Sequence, residues 1–234
     1  MQSKRLLKEV RPIKGWRAFW GEVGIIVLGV LIALGAQQIV EAIHWRSEVA
    51  GFRDAVRDEL SDNLGTYPYR AKQKACINAR LDELQLWLES WRAGRPLKLT
   101  GPIGIPISHV IRTSVWESRD PDTVAHMPRA EKLEYGFLYS EFANNEVHRL
   151  DERDAWMELA SFDGTNELDH QDMMTLQGLI YRARLRDKRI DSNAARFMKR
   201  AARIGLKPEA APDPAPYEPE LCRSILPPES KGGG

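Results

Sequence analysis

From Val23 to Val40 the chain reads VGIIVLGVLIALGAQQIV, 18 residues without a charged side chain, and Glu41-Ala42-Ile43 adds a further turn. A helix crosses the hydrocarbon core of a bilayer in roughly 20 residues. The run therefore predicts one transmembrane helix over residues 21–43. Trp16, Phe19 and Trp20 precede it and Trp45 follows it, at the depths where amphipathic rings are favoured. A buried helix of a soluble protein seldom carries so long an apolar run with aromatic flanks. The apolar region of a cleaved signal peptide is usually about 7–15 residues, so an uncleaved anchor is expected despite the faint likeness of Ala33-Leu34-Gly35 to a cleavage site.

Basic residues orient such a helix. Lys4, Arg5, Lys8, Arg11, Lys14 and Arg17 lie before it, against Arg46, Arg53 and Arg57 in residues 41–60. That bias puts residues 1–20 in the cytoplasm, as a basic segment, and the remaining chain outside. In a bacterium the anchor would sit in the inner membrane and the main domain in the periplasm. Cys76 and Cys222 would then lie where a disulfide persists, and they are a candidate pair; two unrelated buried thiols would give the same sequence.

Beyond the anchor there is room for one ordinary domain, because the whole chain has 234 residues, 43% of them apolar and 29% charged. With 34 Lys and Arg against 33 Asp and Glu, no global charge points to nucleic acid, and none is expected as a partner. Within the anchor, Gly24, Gly29, Ala33 and Ala36 are read as falling along one side at spacings of three to five, with Gln37 following. Small residues allow close backbone approach and an amide seeks a partner, so these five are candidates for association with a second copy or another membrane protein. The alternative is that they only face lipid and interfacial water.

The soluble part, residues 44–206, reads as helices throughout. Val49, Phe52, Val56, Leu60 and Leu64 recur at steps of three and four, and Gly65 to Tyr69, with Pro68, predicts a turn. Ile77, Leu81, Leu84, Leu88 and Trp91 form a second seam that would pair with the first as a hairpin, ending at Gly94. Residues 94–107 predict a loop, residues 108–117 a short helix, residues 128–162 a long one and residues 167–204 a last one. The expected fold is all-α: one transmembrane helix continuing into a helical bundle of about five helices. From Lys207 the chain carries seven of its fourteen prolines, so residues 207–234 predict an extended Pro-rich tail pinned only at Leu221 or Cys222.

Chemistry-bearing motifs are sparse. Glu167 and His170 have a Glu-x-x-His spacing, but a di-metal bundle needs a second such pair, and the plainer reading makes Glu167 and Asp169 first-turn acids behind a Thr165 or Asn166 cap. Glu146, His148, Asp151, Glu152 and Asp154 read as a solvated helix face. Trp116 and Trp156, beside Glu117 and Asp154, would line a cleft with Arg112 or, more plainly, pack in the core. Arg182, Arg186, Arg189, Arg196, Lys199, Arg200 and Arg203 form a candidate surface for an anionic partner such as lipid headgroups. The competing reading is neutralisation by the acids of the preceding helix. No nucleophile elbow, phosphate loop, dinucleotide fingerprint or zincin motif occurs, so no catalytic, cofactor or metal residue is assigned.

The stretch Gly21-Glu22-Val23-Gly24-Ile25-Ile26-Val27-Leu28-Gly29-Val30-Leu31-Ile32-Ala33-Leu34, followed by Gln37-Gln38 and Trp45-Arg46, resembles the anchor of an uncharacterised bacterial family of single-pass membrane proteins. The resemblance covers residues 15–65 and implies topology alone, since no function is known for that family. The leading expectation is a non-enzymatic, membrane-anchored scaffold or accessory subunit of a cell-envelope complex, in contact with membrane lipid and self-associating or joined to a larger membrane-protein complex. The second is an extracytoplasmic ligand-sensing or solute-binding module working through a membrane partner. A pocket gathering Arg112, Glu117, His126 and His148 would favour it.

Overall fold

The computed structural model describes residues 15–209 and 218–228. Most of the basic segment and part of the Pro-rich tail therefore lie outside the described residues. Six helices and no strand occur among those described: α1 (Gly15–Arg92), α2 (Ser114–Glu117), α3 (Pro121–His126), α4 (Arg129–Ala160), α5 (His170–Arg203) and α6 (Glu218–Cys222). The chain divides into two compact units, Met1–Gly51 and Phe52–Gly234.

In the first unit the described residues form the start of α1. Ile25, Ile26, Leu28, Leu31, Ile32, Leu34, Ile39, Val40 and Ile43 are all exposed, and the helix is long and apolar enough to cross a membrane. Trp16, Phe19 and Trp20 cluster near its N-terminal end, with the two indoles 5.7 Å apart.

The second unit is a three-helix bundle. Residues 52–92 of α1 run parallel to α4, as the pairs Arg53–Glu131, Glu59–Tyr139 and Arg70–Glu152 show. They run antiparallel to α5, through Arg92–Gln177, Asp82–Arg184 and Lys74–Asp191. Ile77, Leu81, Leu84 and Leu88 are fully buried with Ala155, Trp156 and Leu159 of α4 and Leu176, Ile180 and Ala183 of α5. Towards the other end, Tyr67, Phe142 and Phe197 pack ring to ring at 5.4–6.2 Å.

The hairpin expected within α1 does not form. The helix passes through Gly65 and Pro68, so both apolar seams lie on one rod and pack against α4 and α5. An interior proline costs about 3 kcal/mol. Burying Leu60, Leu64, Tyr67 and Tyr69 around it is worth roughly 1.5–3 kcal/mol for each large apolar side chain, which outweighs that cost. Pro68 itself faces solvent.

Because α1 and α4 are parallel, the chain must return the length of the bundle between them. It does so in a strap, residues 93–113, laid along α1. Gly94, at φ +68°, turns it out of the helix, with Arg95 N–H bonded back to Ser90 O at 3.0 Å. Side chains of α1 then take up its backbone groups. Trp87 Nε1 donates to Leu97 O at 3.1 Å and Ser90 Oγ accepts from Leu97 N at 3.0 Å. The amides of Gln73 and Asn63 each accept from and donate to one residue, Ile107 and Arg112 respectively. The expected helix at 108–117 is thus cut to α2 (Ser114–Glu117), whose start is held by the buried Glu59 carboxylate, 3.1 Å from Val115 N and 2.9 Å from Ser114 Oγ.

Arg80, whose side chain is fully buried, joins three segments. Nη1 donates to Pro102 O and Ile103 O, Nη2 to Glu220 O, Leu221 O and Arg223 O, and Nε to Glu83 at 3.2 Å. The C-terminal segment is thus not extended throughout: α6 ends at Cys222, which is bonded to Cys76, and Leu221 and Ile225 enter the core. Thr100 N–H donates to Ile225 O at 2.8 Å, completing the seam with the strap. Replacing Cys76 and Cys222 together by Ser opens a loop of 146 residues and is expected to cost about 2–4 kcal/mol. Denaturant unfolding of the full chain in detergent measures that loss, with faster hydrogen exchange at the Thr100 amide as its local sign.

Candidate ligand cleft

A polar layer crosses the middle of the bundle. Tyr67 and Arg70 are three residues apart on α1 and so share a face. Tyr67 Oη accepts from Asn145 Nδ2 at 2.9 Å, and Asn145 Oδ1 accepts from Asn193 Nδ2 at 3.0 Å. Arg70 Nη2 donates to Glu152 Oε1 at 2.5 Å and to Asp187 Oδ1 at 2.8 Å. Each helix thus contributes two members, and every one of them is mostly removed from solvent.

Over this layer opens a narrow cleft with about 40 Å³ of room. Tyr67, Arg70, Asn145 and Glu152 line it, with Thr66 and Tyr69 from α1, Ile107, Ser108, His109 and Ile111 from the strap, Arg149 from α4 and Ile190 from α5. Arg149 ties α4 to the strap, donating to Ser108 Oγ at 2.6 Å while pairing with Glu146. The His109 ring meets Tyr69 edge-on at 5.0 Å.

The electrostatics follow from one cation facing two carboxylates. Burial pulls the Arg70 guanidinium down, and Glu152 and Asp187 more than offset it, leaving a net rise. Burial pushes the Glu152 carboxyl up to about 7; Arg70 opposes this and the charge of Asp187 adds to it. Burial also holds the Tyr67 phenol well above its ordinary value, so it stays protonated. Beside the cleft, Arg70 Nε and His109 Nε2 are buried without a partner among the described residues, and Tyr67 Oη accepts one bond while its own proton has no acceptor there.

Apart from Glu152, the residues singled out in the sequence lie elsewhere. Glu167 precedes α5 and shares no helical face with His170, because the N-cap is Asp169, not Thr165 or Asn166. Asp169 forms a capping box with Asp172. Among the described residues no group of three or more His, Cys, Asp or Glu is placed to hold a metal. The acidic run on α4 is not a solvated face: Glu152 is buried on Arg70, and Asp151 accepts from Arg182 and Arg186. Trp156 is fully buried in the core, whereas Trp116 stacks on Tyr139 at 5.2 Å, so the two line no common cleft. Arg112, Glu117, His126 and His148 do not converge either: Arg112 reaches Asp62 at 3.5 Å, Glu117 accepts from Thr113, His126 Nδ1 lies by Asp122 O and His148 lies beside Arg186.

Of the candidate anionic-partner surface, Arg182, Arg186, Arg196 and Arg200 are engaged by Asp151, Glu158, Glu141 and Glu134 of α4. Arg189, Lys199 and Arg203 remain exposed. Gly24, Gly29, Ala33, Ala36 and Gln37 are exposed on α1, with open space around Gly24 and Gly29. They do not form one stripe. At about 100° per residue Gly24 lies about 140° around the helix from Gly29, whereas Gly29, Ala33 and Ala36 fall within about 60°.

Sequence reasoning missed Tyr67, Arg70, Asn145, Glu152 and Asp187 as a group. One signal was present: Asp187 continues the apolar face Leu176, Ile180, Ala183 and Ile190 of α5, where an acid must find a partner.

A raised carboxyl value in the folded state makes stability fall as pH rises. Between about pH 4.5 and 7 the folded chain keeps a proton on Glu152 that the unfolded chain has released, and above about 7 the cost is complete. Glu152→Gln, which stays neutral, is expected to flatten the decline of stability across that window and so to leave the variant at least as stable as the parent at pH 8. Arg70→Met, which leaves Asp187 buried without its cation, is expected to cost about 3–5 kcal/mol. Unfolding free energies at pH 5, 6, 7 and 8 check both.

The chain matches no protein-family model, no curated protein and no solved structure, and its functional reading rests on its own residues.

Proposed function

We propose that the chain is a single-pass, membrane-anchored helical scaffold or accessory subunit of a bacterial cell-envelope complex. Its N-terminus is cytoplasmic, its main domain periplasmic, and it self-associates or joins a larger membrane-protein complex. The observation that carries this reading is the apolar stretch of α1, whose most apolar 18-residue window has none of its residues buried within the protein. So large a continuous apolar surface needs lipid or protein around it. The tryptophans at its ends, the basic bias of its N-terminal flank and the likeness of residues 15–65 to a family of single-pass anchors support a span. The Cys76–Cys222 bond supports an oxidising compartment for the second unit.

A second reading, an extracytoplasmic ligand-binding module that signals through a membrane partner, is favoured by the cleft above Arg70.

The mass of the protein solubilised gently from its native membrane, with every co-purifying chain identified, tests the first reading. A defined homo-oligomer that Gly29→Ile and Ala33→Ile dissociate, or a stoichiometric foreign partner, is the expected result; a bare monomer overturns it. Labelling of an engineered surface cysteine in the second unit by a membrane-impermeant maleimide, in cells with a permeabilised outer membrane, is expected to succeed without lysis.

A further inference from the structure

At the end of the second unit where α1 and α4 stop and α5 begins, two connecting segments border an open pocket with about 460 Å³ of room, within the range of about 300–1,000 Å³ usual for small-molecule sites. One wall is the start of the strap. Successive side chains of an extended chain point to opposite sides, and here Leu97 and Leu99 pack half-buried against the core while Lys98 and Thr100 are exposed. The other wall is the α4–α5 connection, turned at Gly164 with φ +72°, which brings Asp163, Thr165 and Asn166 to the pocket. Trp91, from the last turn of α1, completes the lining. Its Nε1 is buried, so the indole meets the pocket with ring carbon. Both walls are pinned. Trp87 and Ser90 hold Leu97, Ile225 holds Thr100, and Ile103 N–H joins one wall to the other by donating to Asp163 Oδ1 at 2.8 Å.

We propose that this pocket binds a neutral saccharide, the C–H face of one pyranose ring lying on Trp91, Leu97 and Leu99 and its hydroxyls bonding to Thr100, Asp163 and Asn166. The inference goes beyond both functional readings and rests on neither the membrane span nor the cleft above Arg70. A pyranose is apolar on its ring face and carries hydroxyls around its edge, each able to donate and to accept. The pocket offers the complement of both. An indole and two leucines supply the apolar surface. Beside them stand a carboxylate, which accepts, and an amide and a hydroxyl, which do both. The Thr100 and Asn166 side chains make no hydrogen bond among the described residues, and Asp163 keeps Oδ2 unbonded there. All three are exposed and so within reach of a ligand. Charge selects a neutral occupant, because Lys98 and Asp163 set opposite charges in the lining and a charged head gains from one what it loses to the other. A wholly apolar ligand would strip water from Thr100, Asp163 and Asn166 without replacing its bonds. Walls already fixed by the chain's own hydrogen bonds lose little freedom on binding.

The test is titration of the full chain, reconstituted in phosphatidylcholine nanodiscs, with maltotriose and with triacetylchitotriose, read by saturation-transfer NMR of the sugar protons against empty nanodiscs. Sorbitol, which has the hydroxyls without a ring face, and trigalacturonate, whose every ring is charged, are the controls. Saturable binding of at least one neutral trisaccharide is expected, at least about tenfold tighter than either control. Asn166→Trp, at an exposed position outside the helices, fills the pocket and is expected to abolish binding without lowering the melting temperature. Trp91→Leu is expected to weaken binding at least about tenfold, and Asn166→Trp decides the matter should that variant fail to fold. Lys98→Met is expected to leave the affinity within about twofold. Sorbitol or trigalacturonate binding as tightly as the neutral trisaccharides overturns the ligand class, as does loss of binding in Lys98→Met. Binding that Asn166→Trp leaves untouched overturns the assignment of the pocket. No saturable binding of either neutral trisaccharide overturns the inference and leaves the oligomer test of the scaffold standing.

Discussion

Two parallel helices that follow each other in a chain force that chain to travel back between them, and the second unit is organised by that requirement. α1 and α4 run the same way, so residues 93–113 must cover the length of the bundle without helical bonds of their own. A backbone in that position needs partners for its N–H and C=O groups. Here they are supplied by polar side chains of α1, Trp87, Gln73 and Asn63, each reaching strap backbone. The arrangement resembles strand pairing in its effect, with side chains of a helix substituting for the neighbouring strand.

Arg80 extends the same solution to the end of the chain. A fully buried guanidinium is costly unless its donors are used, and five carbonyls together with Glu83 use them. Three of those carbonyls belong to the C-terminal segment, so the charge that holds the strap also holds α6. The Cys76–Cys222 bond fastens the segment one turn away on α1, since residues 76 and 80 are four apart. Gly104, at φ +74° and with Arg80 Nη1 3.6 Å from where a Cβ would be, gives the strap the bend that this convergence needs.

The polar layer at Tyr67 and Arg70 has a different character. A well-packed apolar layer there would serve stability as well or better, because a buried cation with two carboxylates repays its desolvation only in part. The cluster leaves Glu152 readily protonated and leaves donors of Tyr67 and Arg70 without acceptors. The cleft sits where strap, α1, α4 and α5 meet, so occupancy would bear on all four.

The sequence by itself determined the elements that depend on local chemistry. The uncharged run from Val23 to Val40 dictates a long apolar helix, the seams at Val56, Leu60 and Leu64 and at Ile77, Leu81, Leu84 and Leu88 dictate buried helical faces, and Gly94 dictates where α1 stops. Tertiary packing decided whatever balances one local preference against distant partners. Pro68 reads as a break, but side chains buried on both sides of it carry the helix through. Neutralisation of the α5 arginines by the acids of α4 was one of two readings the sequence offered, and the antiparallel packing of the two helices realises it for several, whereas Glu152 reads as solvated and Arg70 of α1 takes it. The cleft was not legible for the same reason: Tyr67, Ile107, Asn145, Glu152 and Ile190 come from four segments, and only the parallel course of α1 and α4, with a strap forced to return between them, brings those residues together.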